Sequence, residues 1–170
     1  TYNLSQEIIK LLYNKKYYVK YNRNSYRKIK YEKNYHDIVV DPDGKRRNLA
    51  SEKNYKLKQI IYVRNFLKKI KPGKILDIGC GHGWFLSSLN KNWNKFGVEI
   101  SKFASKNASK YARIFCGNIN DFKESGFDIV TALHVIEHHP KPENLIKKIY
   151  KILKPKGILI LETPDFDCAA

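Results

Sequence analysis

Ile75-Leu76-Asp77-Ile78-Gly79-Cys80-Gly81-His82-Gly83 is the stretch that decides the fold of this chain. Lys74–Ile78 is an apolar run that reads as a buried strand. Glycine then recurs at every second position from 79 to 83. Glycine removes side chains where a turn tightens or a ligand must approach the backbone. The loop opens onto a helix expected over Trp84–Lys91, and a helix amino terminus suits a negative group. The stretch therefore predicts a strand, a ligand-facing loop and a helix, in that order.

Downstream the same alternation continues. Lys95–Glu99 reads as a strand, Ser101–Tyr111 as a helix, Arg113–Cys116 as a short strand and Phe127–Leu133 as a longer one. A helix follows from Pro142 to about Leu153, with proline in its first turn and Leu145, Ile146, Ile149 and Leu153 as its core face. Lys154-Pro155-Lys156-Gly157 ends it, and Ile158–Leu161 is a further strand. Strands alternating with helices imply an α/β fold with a doubly wound, mostly parallel sheet.

Upstream the character changes at Lys71-Pro72-Gly73. Ser51 is placed to cap a helix running to about Ile70, with Leu57, Ile60, Ile61, Leu67 and Ile70 on one face. Residues 1–50 form a basic, Tyr-rich extension expected to act as a cap or lid, and residues 51–170 the ligand-binding domain. Leu4, Ile8, Leu11 and Leu12 recur at helical spacing. Asp41-Pro42-Asp43-Gly44 has the residues of a type I turn. Tyr17, Tyr18, Tyr21, Tyr26, Tyr31 and Tyr35 alternate with Lys and Arg. Such interleaving serves either as packing against a core or as a stacking platform for single-stranded nucleic acid. No RNP-type motif accompanies it, which favours packing.

The net charge of +17 is uneven: residues 1–70 hold 18 Lys and Arg against 6 acids, and the remainder 15 against 10. A polyanion partner is one reading. The other is codon bias, since Lys, Asn, Ile and Tyr abound while Arg, the better phosphate ligand, is scarce. Cys80, Cys116 and Cys168 form no CxxC pair and read as reduced thiols. No apolar run approaches the roughly 20 residues of a membrane helix. No signal peptide precedes Thr1-Tyr2-Asn3-Leu4, so a cytoplasmic location is expected. The missing initiator Met points to a natural amino terminus upstream.

Spacing narrows the ligand. Dinucleotide sites use GxGxxG, whereas Gly79-Cys80-Gly81-His82-Gly83 is GxGxG, followed by Trp84. Asp77 stands two residues before the first glycine. A carboxylate there repels a pyrophosphate and suits a cation. Glu99 closes the next strand, where an acid commonly binds ribose hydroxyls.

Ile75–Gly83 resembles motif I of the class I, Rossmann-like methyltransferases, which use S-adenosylmethionine. Phe127–Val130, Leu133–His138 and Leu153–Leu159 resemble their later motifs. The likeness runs over about residues 55–165 and is nearest to the small-molecule branch of ubiquinone-type and sugar-modifying enzymes. It implies that Asp77, Gly79, Cys80, Gly81 and Gly83 line the methionine end, that Glu99 binds ribose, and that Ile100, Asn118 and Ile119 flank the adenine. Asn118 replaces the usual Asp. Leu133 and His134 would border the sulfonium. The family sheet normally has seven strands, so the five read here imply a domain lacking its carboxyl-terminal part.

His134-Val135-Ile136-Glu137-His138-His139 is the remaining chemistry-bearing run. Its HxxEH spacing matches an inverted zinc-protease motif, but it follows a strand and ends at Pro140-Lys141-Pro142. A divalent ion bound as in some related enzymes is weakened by His134 in place of the first acid. His138, His139 and His134 are instead candidate general bases for a hydroxyl or amine nucleophile. The alternative is that one packs and another is solvated. His82 and His36 are expected to be structural or exposed. Neither a Pro-Cys pair nor an Asp/Asn-Pro-Pro-aromatic motif is present, since the fourth strand of the sheet runs Thr131-Ala132-Leu133-His134. Both absences favour a small-molecule or sugar acceptor over RNA.

Overall fold

The computed structural model describes residues 39–40, 46–47, 53–54 and 57–163. The expected helix near Leu4–Leu12, the Tyr-rich run, His36, the Ser51 cap and Cys168 lie outside the described residues. Strands β1 (Val39–Val40) and β2 (Arg46–Arg47) pair antiparallel. The expected turn Asp41–Gly44 lies outside the described residues.

The main sheet has five parallel strands: β3 (Lys74–Ile78), β4 (Asn94–Glu99), β5 (Arg113–Cys116), β6 (Phe127–Leu133) and β7 (Leu153–Glu162). Their order is β5-β4-β3-β6-β7. Chain direction across the sheet thus reverses beside β3, and the crevice outside the carboxyl ends of β3 and β6 is where doubly wound sheets bind ligands.

Two cores cover the two faces, as strand alternation dictates. On one face Ile75 and Ile129 pack with Val63 and Leu67 of helix α1 (Ile61–Lys68) and Phe85 and Leu86 of helix α2 (Trp84–Ser88). Ala108 of helix α3 (Lys102–Ala108) joins them. On the other face Leu76, Ile78, Val130 and Ala132 pack with Leu145, Ile149 and Ile152 of helix α4 (Pro142–Ile152).

Several expected boundaries shift for local reasons. The α2 segment stops at Ser88 because Leu89 turns extended to bury its side chain, and Asn90 Oδ1 accepts the Asn92 N–H to form a turn. Helix α3 ends at Ala108, and Ser101 is its cap, accepting the Ala104 N–H. The face of α1 is Ile60, Val63 and Leu67, while Ile61 is half exposed. In α4, Ile152 takes the core place expected of Ile146, which is 37% exposed. Strand β7 starts at Leu153, earlier than expected, but the register jumps between its pairings with Phe127 and Ile129. Residues Lys154–Gly157 form that irregularity, with Lys156 at φ 65°. Among the described residues, no helix is long and apolar enough to cross a membrane.

At the amino end of the sheet, Lys74 Nζ lies 2.8 Å from both Glu124 Oε2 and the Ser125 carbonyl. It also sits over the rings of Phe96 and Phe127 at 4.7 and 4.5 Å. Asp128 accepts the Lys74 N–H at 2.7 Å and Lys154 Nζ at 2.6 Å. Partial burial draws the Asp128 carboxyl upward, but those two donors outweigh it and hold the group below its usual range.

Candidate active site

The loop after β3 owes its shape to glycines that do different work. Gly81 has φ 53°, and a side chain there would meet open space. Gly83 has φ 73°, and its missing side chain admits Ala108 of α3: a Cβ would stand 3.0 Å from the Ala108 Cα. Gly81 therefore leaves the loop open to a visitor, whereas Gly83 closes α2 onto α3.

The loop's N–H groups turn inward. Gly79 and Cys80 both donate to the Val98 carbonyl, at 2.8 and 3.2 Å. Gly83 donates to Cys80 O, and Gly81 to Glu99 Oε2 at 2.8 Å. Helix α2 is only five residues long. The anion-binding helix terminus expected from sequence is thus not what this loop offers. It offers carboxylates.

Glu99 is buried at the end of β4. Its Oε1 accepts the Ser101 N–H at 2.8 Å while its Oε2 accepts that of Gly81. A carboxylate has about four acceptor sites, so capacity remains for a ligand hydroxyl. Burial pushes the Glu99 carboxyl up, against the pull of the Ser101, Gly81 and Ile100 N–H groups. Asp77 is 4% exposed and accepts the Thr131 hydroxyl at 2.7 Å. Burial drives its carboxyl up to about 7; the Thr131 bond opposes this and the nearby Glu99 adds to it. Two acids sharing one buried region is a high-energy arrangement that a cation relieves.

The other expected residues distribute along the same rim. Cys80 is buried and fills the space left by Gly97, and burial pushes its thiol up. Its side chain therefore belongs to the core. Ile100 is half-buried beside Glu99. Asn118 follows β5 and caps the 3-10 turn Ile119–Asp121 through its Oδ1, which accepts the Asn120 N–H at 2.9 Å. Ile119 points into the core. His82 contacts Asn107 at 3.3 Å and stands near the rings of Trp84 and Phe103.

At the end of β6, Leu133 is partly buried against the α1 face. His134 has φ 55°, a left-handed conformation that costs a non-glycine residue about 1–2 kcal/mol. Its ring lies between two acids: Nε2 is 3.2 Å from Glu162 Oε1, and Nδ1 is 3.7 Å from Glu137 Oε1. Glu137 lies in a 3-10 turn, Ile136–His138, with its Oε2 buried and without a hydrogen-bond partner. His138 Nε2 is 3.9 Å from the same carboxylate and its ring is largely exposed. His139 is turned away, with Nδ1 against the Lys141 backbone. Of the three candidate bases, His134 and His138 thus share Glu137, and His139 braces a loop. Among the described residues, no three of His, Cys, Asp and Glu are grouped to hold a metal ion.

Sequence reasoning missed Glu162, Thr131 and Tyr62. Tyr62 of α1 donates to Glu162 Oε2 at 2.6 Å, and its phenol is pushed up to about 12 by burial and by that carboxylate. The only sequence signal was an acid ending a strand of the same sheet.

Comparison with known proteins agrees with this architecture. A family model described as a methyltransferase domain matches residues 49–170. The ubiquinone biosynthesis O-methyltransferase of Idiomarina loihiensis is 28% identical over 134 residues, 72% of this chain and 54% of that protein. The probable tRNA methyltransferase 9B of Homo sapiens is 32% identical over 111 residues, 58% of this chain and 23% of that protein. The crystal structure of PH0226 from Pyrococcus horikoshii superposes with a TM-score of 0.58 at 26% identity, covering 67% of this chain and 55% of that one. The chain spans about half the length of the Idiomarina relative and of this structural neighbour. With the sheet order, the glycine loop and the family match in agreement, the chain belongs to the Rossmann-like methyltransferases that use S-adenosylmethionine.

Proposed function

We propose that this chain transfers a methyl group from S-adenosylmethionine to a hydroxyl or amine of a small-molecule or sugar acceptor. The observation that carries the reading is the pairing of Asp77 and Glu99, two buried acids with raised pKa, beside the open side of Gly81. S-adenosylmethionine fits that donor set, because its methionine end carries ammonium and sulfonium charges and its ribose carries two hydroxyls. When bound it supplies a methyl group already activated on sulfur.

The chain's own residues then have three tasks. Gly81 lets the ligand reach the loop, and Glu99 accepts ribose hydroxyls on its remaining lone pairs. Asp77 counters the positive end through the field it exerts across Thr131 and the loop. His134, at the mouth of the same crevice, takes the proton that the acceptor releases. Holding acceptor and methyl group in line can supply several kcal/mol of the barrier reduction.

The ubiquinone-type relatives support a small acceptor. The likeness to a tRNA methyltransferase and the net charge of +17 favour an RNA substrate as the second reading. Calorimetry tests the donor: S-adenosylhomocysteine binds, NAD does not, and Glu99→Ala weakens the first by about a hundredfold, or roughly 3 kcal/mol. Unchanged affinity in Glu99→Ala would remove this site from consideration. Homocysteine release from phenols, activated sugars and tRNA then separates the acceptors.

A further inference from the structure

The ring of His134 is held by more than the strand that carries it. Its own N–H donates to the Glu162 carbonyl at 2.9 Å, extending the β6–β7 ladder one residue beyond Leu133. The Glu162 side chain then turns back, placing Oε1 3.2 Å from His134 Nε2. Its other oxygen accepts the Tyr62 hydroxyl. Glu162 is mostly buried, with its side chain 18% exposed, while that of His134 is 45% exposed. On the far side of the ring, Glu137 Oε1 is 3.7 Å from Nδ1, near enough to feel its charge and too far for a hydrogen bond. The next residue, Val135, lies against Gly79: a Cβ on that glycine would come within 2.7 Å of it. The imidazole therefore stands beside the glycine loop, with one nitrogen 3.2 Å from the Glu162 carboxylate.

We propose that Glu162 is the positioning residue for His134: it accepts the Nε2–H, and so leaves Nδ1 as the atom that takes the acceptor's proton. This rests on the methyltransferase reading of the same site. The hydrogen bond at one ring nitrogen decides the protonation of the other. In the step served, the acceptor's O–H or N–H bond breaks as its oxygen or nitrogen bonds the methyl carbon. The proton goes to Nδ1, and the electron pair of the broken carbon–sulfur bond stays on sulfur. Glu162 steadies the imidazolium by direct contact, as the third member of a catalytic triad does. Glu137 does so by charge alone. Tyr62, reaching across from α1, keeps the Glu162 carboxylate from swinging into solvent.

The test is the tautomer of His134, read from long-range proton–nitrogen spectra of the labelled full chain at a pH where the ring is neutral. In the unsubstituted protein the proton sits on Nε2. In Glu162→Leu it moves to Nδ1, because Glu137 is then the nearest carboxylate. In Glu162→Gln it stays on Nε2, since the amide carbonyl still accepts, and in Glu137→Gln it also stays. A proton on Nδ1 in the unsubstituted protein overturns the proposal, and so does a Glu162→Leu spectrum matching it. Should Glu162→Leu not fold, the unsubstituted tautomer still decides. Calorimetry on the same samples keeps the two readings apart. Affinity for S-adenosylhomocysteine is expected within about twofold in both Glu162 variants. No binding to the unsubstituted protein would end the methyltransferase reading, whatever the tautomer.

Discussion

At the amino end of the sheet the acids meet their partners: Glu124 and Asp128 take Lys74 and Lys154, and aromatic rings cover the ammonium of Lys74. At the carboxyl end Asp77 and Glu99 are buried and Glu137 nearly so. Among the described residues, none of the three has a Lys or Arg in hydrogen-bonding contact, and a loop and a histidine in left-handed conformations stand beside them. Asp128 is held below its ordinary ionisation range while Asp77 and Glu99 are held above theirs. The first end is complete without a ligand. The second carries charge that is costly until something positive arrives. One sheet thus satisfies its charges at one end and leaves them unmet at the other, the end where such folds generally place their sites.

The largest test of this contrast is pH. Asp77 stays protonated in the native state up to about pH 7 but releases its proton near 3.8 when unfolded. Between those values the native state binds more protons, so stability falls as pH rises. Asp77→Asn removes this loss and still accepts the Thr131 hydroxyl. Denaturant unfolding should show the variant more stable at pH 8 by up to roughly 4 kcal/mol and equal near pH 3. The variant should also lose any rise in S-adenosylhomocysteine affinity between pH 6 and 8. A native protein as stable at pH 8 as at pH 4 would break the contrast at its strongest point.

Asp128→Ala comes next and should do the reverse. It strands the Lys74 N–H and the Lys154 ammonium, costing about 1–3 kcal/mol, while calorimetry finds the same affinity for S-adenosylhomocysteine. Weakened binding would mean that the two ends are coupled. The smallest effect is expected at Gly81. Gly81→Ala meets no atom within 4 Å, so its stability cost should stay near the 1 kcal/mol of a left-handed alanine. Its affinity should nonetheless fall about tenfold, because the methyl group occupies the ligand's approach.

Legibility in the sequence tracks how local each feature is. The alternation of β3 to β7 with helices is written in short apolar runs: β3 to β6 were legible to within one residue at their starts, while β7 starts at Leu153, five residues before the expected Ile158. Asp77, the glycines and Glu99 lie on two consecutive strand ends, so one motif and one spacing were enough to make them candidates. Glu162 was hidden because its meeting with His134 depends on the register Leu133↔Glu162 and on a bulge at Lys154–Gly157 that resets it. Tyr62 lies 100 positions from its partner, and only the packing of α1 brings them together. The inward turn of the loop N–H groups was likewise invisible, because Val98 and Glu99, which receive them, belong to another strand.

That inward turn has a consequence for competition inside a cell. ATP and NAD share an adenosine with S-adenosylmethionine. They differ from it mainly in the sign of the charge attached beyond the ribose. With Gly79, Cys80, Gly81 and Gly83 all donating inward, these amides have nothing to offer a phosphate, and the buried acids repel it. The crevice would then separate the three by charge before it measured their shape.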